Sequence, residues 1–234
     1  MKNVVFISAS PKIKEKSVSE YLVKLAADKF TGDVDKAFIN VRQSINKHQT
    51  LEDFEKISQA DALIIAFPLY VFCLPGILMR YLEDFHKFYS DKEKFINNKL
   101  KIYALVNCGF PEPGINQEAV GVIRSFSRHM GADFRFGVLI GSGGMLLQAK
   151  DAPFMKKATK EMNKAFDTIA MDCQNDNNVS VRDLLISVKF PRRLYLFMGD
   201  RGWISVARKY GLKKKDLYRK PYSIEEAYNS GNPI

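Results

Sequence analysis

The sequence predicts a doubly wound α/β fold: a parallel sheet of five strands in the order 2-1-3-4-5, with helices on both faces. Three observations predict it. Short apolar runs alternate with stretches whose apolar residues recur every three or four positions. Most of the runs are near-continuous, as expected of parallel strands covered on both sides. Five strands and five helices also fit this architecture better than a barrel, which needs eight strand–helix units.

The first strand is expected over residues 3–8, where Val4, Val5, Phe6 and Ile7 are consecutive. Val18, Leu22, Leu25 and Ala26 then form a helical stripe. Residues 34–41 alternate, with Ala37, Ile39 and Val41 on one side and Lys36, Phe38 and Asn40 on the other, so this strand belongs at an edge. A short helix is expected over 51–59. Residues 62–67 read as a buried strand, followed by a stripe of Ile77, Leu78, Tyr81, Leu82, Phe85 and Phe88. The strand at 101–107 leads to a stripe of Ala119, Ile123, Phe126 and Met130, stopped by Gly131 as a C-terminal cap. The strand at 134–140 leads to the last stripe, Ala158, Met162, Ala165, Phe166 and Ile169, after Pro153. Such alternation implies right-handed crossovers.

From Asn175 onward the pattern fails. The polar stretch 174–178 marks a boundary between a domain at 1–174 and a basic extension at 175–234, with short helices expected over 181–187 and 202–210. The formal net charge is +10, and much of the excess lies in residues 189–220. A field of that sign attracts nucleic acid, anionic lipid or anionic small molecules. Cys73, Cys108 and Cys173 are widely spaced and form no metal-binding pattern, which leads us to expect reduced thiols and a cytoplasmic protein. No leader peptide is visible, and no apolar stretch approaches the roughly 20 residues that cross a bilayer.

In a doubly wound sheet, ligands bind beyond the carboxyl ends of the strands. The loops after Ser8, Phe67, Asn107 and Ile140 should therefore share one rim. The first loop offers the hydroxyls of Ser10, Ser17 and Ser19, the cation of Lys12 and the amides around Val18, a set suited to a phosphate at a helix start. The same residues also read as a capped helix after a solvent loop, and Ser17 with Glu20 has the spacing of a capping box. The second loop runs Pro68, Leu69, Tyr70, Val71, Phe72, where a flat aromatic ring has room, although such aromatics also serve as core. Cys73 reads as a packed thiol. The third loop, Asn107-Cys108-Gly109 onward, is rigid and offers hydrogen-bonding groups to a heterocycle edge, or is simply a structural turn. The Gly-rich loop 141–144 permits close approach of a ligand or is a flexible turn. There is no G-x-G-x-x-G and no Walker lysine motif.

These loops resemble those of the flavodoxin-like NAD(P)H-dependent FMN reductases, together with their quinone- and nitro-reducing relatives. The segment SASPKIKEKSVS is similar to that family's phosphate loop, with Ala9 where the family often has Gly and Lys12 where it often has Arg. A lysine makes a less geometrically defined phosphate contact than an arginine fork. The segment ADALIIAFPLYVFCLPGILMRYLEDF resembles the family's strand, Pro-x-Tyr and Pro-Gly-helix run more specifically, and NCGFPEPG resembles its third loop. The likeness covers roughly residues 1–172. It implies FMN with its phosphate in the first loop and its ring between residues 68–72 and 107–110. It also implies NADH or NADPH as hydride donor, a small acceptor such as a quinone, nitro compound or flavin, no obligatory acid–base side chain, and a homodimer.

Two other classes stay open at this stage. A flavin-bearing electron carrier needs no nicotinamide pocket, but the typical carrier of this fold is acidic. The tail interleaves cations with aromatics, as a membrane-surface or nucleic-acid contact does. Its ordinary reading is a helix packed on the domain or across a dimer.

Overall fold

The computed structural model describes residues 1–13, 17–91, 100–174 and 181–220. The chain forms two compact units, Met1–Lys189 and Phe190–Ile234.

The first unit is built on a parallel sheet of β1 (Lys2–Ser8), β2 (Val34–Asn40), β3 (Ala62–Pro68), β4 (Lys101–Asn107), β5 (Asp133–Ile140) and β6 (Leu184–Ile186). The strand order is β2-β1-β3-β4-β5-β6. The expected order 2-1-3-4-5 is present, with β2 at an edge, but the sheet has six strands rather than five. The sixth strand falls where a short helix was expected, over 181–187. Leu184, Leu185 and Ile186 pair with Val138, Leu139 and Ile140. Asp183 fixes that register, because its carboxylate accepts from the Gly137 amide at 2.7 Å and from Arg124 Nη2 at 2.7 Å. Three residues are too few to show a period, so only these tertiary partners identify the strand. The expected break at 174–178 lies, apart from Gln174, outside the described residues.

The helices are α1 (Val18–Ala27), α2 (Val41–Asn46), α3 (Thr50–Ser58), α4 (Gly76–Asp91), α5 (Gln117–His129), α6 (Met145–Gln148) and α7 (Lys156–Gln174). Alternate strand residues divide the core. Val5, Ile7, Leu63, Ile65, Phe67, Ile102 and Val106 join residues of α3, α4 and α5 in one cluster. Phe54, Tyr81 and Phe85 pack ring on ring there, with centroids 5.0–5.3 Å apart. Residues of the opposite parity, including Phe6, Ile64, Tyr103 and Phe136, are buried on the other face. Two details differ from the periodic reading. Val23 rather than Leu25 is buried in α1. Val41 opens α2 instead of ending β2, because the Asn40 side chain caps that helix through the Gln43 amide. Gly131 follows α5 with φ +68°, the left-handed position that glycine tolerates best.

The second unit contains α8 (Arg192–Lys209) and a 3-10 turn at Lys214–Tyr218. The helix begins ten residues before the expected 202–210, since Pro191 precedes its first turn and residues 194–198 are apolar.

Candidate functional site

The parallel register brings Ser8, Pro68, Asn107 and Ile140 to the same edge of the sheet. The loops that follow them therefore form one rim, as the topology requires. Ladder-like hydrogen bonds continue into the loops: Ala9 N donates to Ala66 O at 2.9 Å, Leu69 N to Asn107 O at 2.8 Å, and Cys108 N to Ile140 O at 3.0 Å.

The first loop ends at Ser17, which is the N-cap of α1. Its backbone is extended, with φ −90° and ψ 129°, and its hydroxyl accepts from Glu20 N at 3.4 Å. The return half of the capping box is replaced, because the Glu20 carboxylate accepts from Asn40 Nδ2 instead. Beside it the Ser19 hydroxyl is buried without a hydrogen-bond partner among the described residues, and Ser19 as a whole is 1% exposed. Ser10 Oγ accepts from Lys12 N at 3.4 Å, while Val18 is half-buried. Arg42, on α2, donates from Nη1 to the Lys12 carbonyl at 3.3 Å, which adds a second cation to this corner. The sequence reading missed Arg42. Its signal was its place two residues past β2, the strand beside β1. Lys14–Lys16 lie outside the described residues.

The second loop is a hairpin in miniature. Tyr70 and Cys73 exchange both backbone hydrogen bonds, at 3.0 and 2.9 Å. The two residues between them, Val71 and Phe72, have φ +49° and +59°. A two-residue turn with both central residues left-handed is ordinarily Asn-Gly or Asp-Gly. A β-branched residue there is a conformational outlier. Val71 is 94% exposed, so no packing of its own side chain holds it there. Phe72 is also exposed, and its ring lies nearly parallel to that of Phe110 from the third loop, 14° apart in plane with centroids 6.3 Å apart. Tyr70 is exposed, and Pro68 and Leu69 are half-buried.

The third and fourth loops are knit to each other. The Asn107 side chain is buried, and its Nδ2 donates to Phe67 O at 3.3 Å, which joins loop two to loop three. Ser142 N donates to Phe110 O and Gly143 N to Cys108 O, both at 2.7 Å. A Cβ on Gly141 would collide with the Pro111 carbonyl, and one on Gly143 would come within 2.7 Å of Asn107 Oδ1. These glycines allow close approach of one protein loop to another. Asn116 Nδ2 bonds Pro113 O at 3.1 Å and also lies within reach of Ile140 O and the Cys108 sulfur. Burial pushes the Cys108 thiol above its ordinary value, which keeps it protonated and unreactive. Of the expected third-loop residues, Asn107 and Cys108 thus sit inside the loop base, and Gly109 is on the surface.

All three cysteines are free. Among the described residues no group of His, Cys, Asp or Glu is placed to hold a metal ion. His86 and His129 line a groove of about 500 Å³ between α4 and α5, with Met79, Leu82, Val122 and Phe126. None of its lining residues belongs to the rim loops.

Residues 2–134 match the model of a family described as having the flavodoxin-like fold. Among solved structures, the chain is similar to an NADH:FMN oxidoreductase in its apo form, at 18% identity over 83% of this chain and 98% of that one, with a TM-score of 0.57. It is similar to an azoreductase from Bacillus anthracis at 16% identity, over 72% of this chain and 100% of that one, with a TM-score of 0.54. It is also similar to an NAD(P)H:quinone oxidoreductase from Methanothermobacter marburgensis at 15% identity, over 75% of this chain and 97% of that one, with a TM-score of 0.54. At such identities the likeness is one of fold. No curated protein sequence matches the chain.

Proposed function

This chain belongs to the flavodoxin-like fold family, and on that premise we propose that it is an NAD(P)H-dependent FMN oxidoreductase. The observation that carries the reading is the pairing, on one rim, of an orphaned hydroxyl at a helix start with a strained aromatic turn. A phosphate fits the first feature. The Ser19 hydroxyl lacks a partner among the described residues, the positive end of α1 favours an anion, and Ser17, Lys12 and Arg42 surround the same corner. A flat heteroaromatic ring fits the second. Tyr70 and Phe72 present exposed ring surface, and backbone held in a sparsely populated conformation is concentrated at ligand clamps. The named activities of the structural neighbours support the same class of reaction.

In this reading Ser10, Lys12, Ser17, Val18 and Ser19 hold the phosphate of FMN. Pro68–Phe72 and Gly109 border the ring, while Asn107 and Cys108 act beneath them by fixing the loops. The chemistry that bound FMN supplies is hydride transfer from NADH or NADPH to a small acceptor, a quinone, an azo or nitro compound, or a free flavin. The chain's own contribution is positional. Phe72 and Phe110 would shield one side of the ring from water, and the backbone hydrogen bonds that knit the rim loops together would hold that wall in place. No side chain is assigned a proton-transfer role. The working form is a homodimer in the cytoplasm.

The test is flavin titration followed by reduction. FMN should bind, and NADH or NADPH should bleach its visible absorbance under anaerobic conditions, with reoxidation by a quinone or nitro compound. Failure to take up FMN overturns the reading. Binding with no reduction by either nicotinamide, but exchange with a protein partner, makes the chain an electron carrier instead. Mass measurement in solution checks the dimer.

A further inference from the structure

The second unit presents a surface of a different kind from the rim. At 100° per residue, Leu194, Leu196, Phe197 and Met198 cover an arc of roughly 200° around the first turns of α8, and all four are exposed. Trp203 is 70% exposed and Val206 is also exposed. Ala207 is the one buried residue in the helix. An exposed apolar arc of that width normally faces a core or a partner.

Charge identifies what covers it. Five arginines and five lysines lie between residues 190 and 220 against Asp200 and Asp216, so this segment carries +8 of the chain's +10. Asp216 is engaged locally, accepting from the Lys213 amide at 2.7 Å and pairing with Arg219 at 3.0 Å. The cations fall at both ends of the apolar block, with Arg193 on one side and Arg201, Arg208 and Lys209 on the other, followed by Lys213, Lys214 and Lys215. A second copy of the segment would bring like charge against like. A nucleic acid would satisfy the cations but would leave Leu194, Leu196 and Met198 without partners, since aliphatic chains offer no face for a base to stack on. A bilayer with anionic lipid satisfies both parts. A helix lying in the interface with the arc of residues 194–198 turned toward the acyl chains buries such a face to about 5–10 Å. Among the described residues no helix is long and apolar enough to cross a membrane.

We propose that the segment 190–220 docks on an anionic lipid surface. The first turns of α8 dip into the boundary between headgroups and acyl chains, Trp203 sits at the interface, and the lysines of the following turn lie on lipid phosphates. Long cationic side chains near the tip reach back to the headgroups. This inference stands apart from the reading of the rim and does not depend on flavin binding.

The experiment uses the full chain with vesicles of phosphatidylcholine alone and of phosphatidylcholine with phosphatidylglycerol. Trp203 is the chain's single tryptophan, so its emission reports this helix alone. The chain should sediment with the anionic vesicles and its emission should shift to the blue, with neither effect on neutral vesicles and both weakened by salt. The triple variant Lys213→Glu, Lys214→Glu, Lys215→Glu should lower partitioning at least about a hundredfold, given roughly 1 kcal/mol per basic residue near such a surface. The triple variant Leu194→Gln, Phe197→Gln, Met198→Gln should abolish the blue shift. Far-ultraviolet circular dichroism checks that both variants fold. Failure of the unaltered chain to sediment with anionic vesicles overturns the proposal. So does tight binding of a DNA or RNA duplex that the apolar triple variant retains in full, which would mark a nucleic-acid surface. Dissociation of a dimer by the apolar variant, with no vesicle binding by the unaltered chain, would mark a self-association surface and overturn it equally.

Discussion

The two edges of the sheet are built on opposite terms. At the amino edge, Asp172 Oδ2 accepts from Tyr103 OH at 2.7 Å and from Arg135 Nε at 2.8 Å, and its other oxygen accepts from Arg135 Nη2 at 2.9 Å. Arg135 also reaches Asp133, and Lys101 Nζ donates to the Asp172 carbonyl at 2.6 Å. The charges are paired and the carboxylate is satisfied. At the carboxyl edge, Val71, Phe72 and Ser142 hold left-handed backbone, the rings of Tyr70, Phe72 and Phe110 are exposed, and the buried Ser19 and Ser142 hydroxyls have no hydrogen-bond partner among the described residues. The same strands run between these edges, so composition alone does not account for the difference. On the proposed reading, the end whose polar groups are left unsatisfied among the described residues is the one that binds.

Breaking the satisfied edge should have the largest effect. Arg135→Leu leaves the nearly buried Asp172 carboxylate without its main partner, and should cost about 3–5 kcal/mol of stability in denaturant unfolding. Flavin affinity should be nearly unchanged, since no rim residue takes part. The same network predicts the acid limb of stability. Burial opposes ionisation of Asp172, but the hydrogen bonds from Arg135 and Tyr103 outweigh it and hold the carboxyl below its ordinary value. As pH falls, the unfolded chain therefore takes up the proton first. The contribution is whole above the unfolded value of about 3.9 and disappears as pH drops through the folded one. Asp172→Asn should flatten that dependence. An unchanged acid profile would show that other carboxylates govern it.

Next in size is the part of the rim that serves as scaffold. Gly141→Ala puts a Cβ against the Pro111 carbonyl, and the two loops must separate. Overpacking of this kind costs about 1–3 kcal/mol, and flavin uptake should fall with it because loop three carries Phe110. Full stability with normal flavin binding would mean the loops yield freely.

The contrast between the edges was only partly legible in the sequence. Four of the five long strands show themselves as runs of Val, Ile, Leu and Phe, β2 shows itself by alternation, and the rim follows from parallel topology. β6 is three residues long and depends on Asp183 and on its neighbour β5, neither of which a local pattern can report. Among the candidate residues, Ser17 and Ser19 carry a local signal because a helix start has its own chemistry. Asn107 and Cys108 look alike as exposed turn or buried clamp until Gly143 and Asn116 are brought against them. The left-handed backbone at Val71 and Phe72 runs against residue preference, so propensity reads past it.

The hairpin between Tyr70 and Cys73 tests whether that strain is functional. Replacing Val71-Phe72 by Asn-Gly fits the turn type and should raise stability by about 1–2 kcal/mol, read as a higher Tm. It also removes the ring stacked on Phe110, so flavin affinity should drop as stability rises. A gain in both would mean that the strain serves nothing at this site.

The smallest effect on the fold should come from Ser19, and it separates the two edges most cleanly. At the amino edge, removing a hydrogen-bonding group leaves its partner bare and destabilises the chain. Ser19 Oγ has no partner to leave among the described residues, so Ser19→Ala should change unfolding by less than about 1 kcal/mol and in the stabilising direction. Its cost should appear on binding. If the hydroxyl donates to a phosphate, FMN affinity should fall about tenfold, or roughly 1.4 kcal/mol, while affinity for riboflavin, which lacks the phosphate, should stay where it was. Equal losses for the two flavins would place Ser19 at the ring or in the packing of α1. A stability loss like that of Arg135→Leu would show that the hydroxyl is satisfied within the fold after all, and that the carboxyl edge is built like the amino edge.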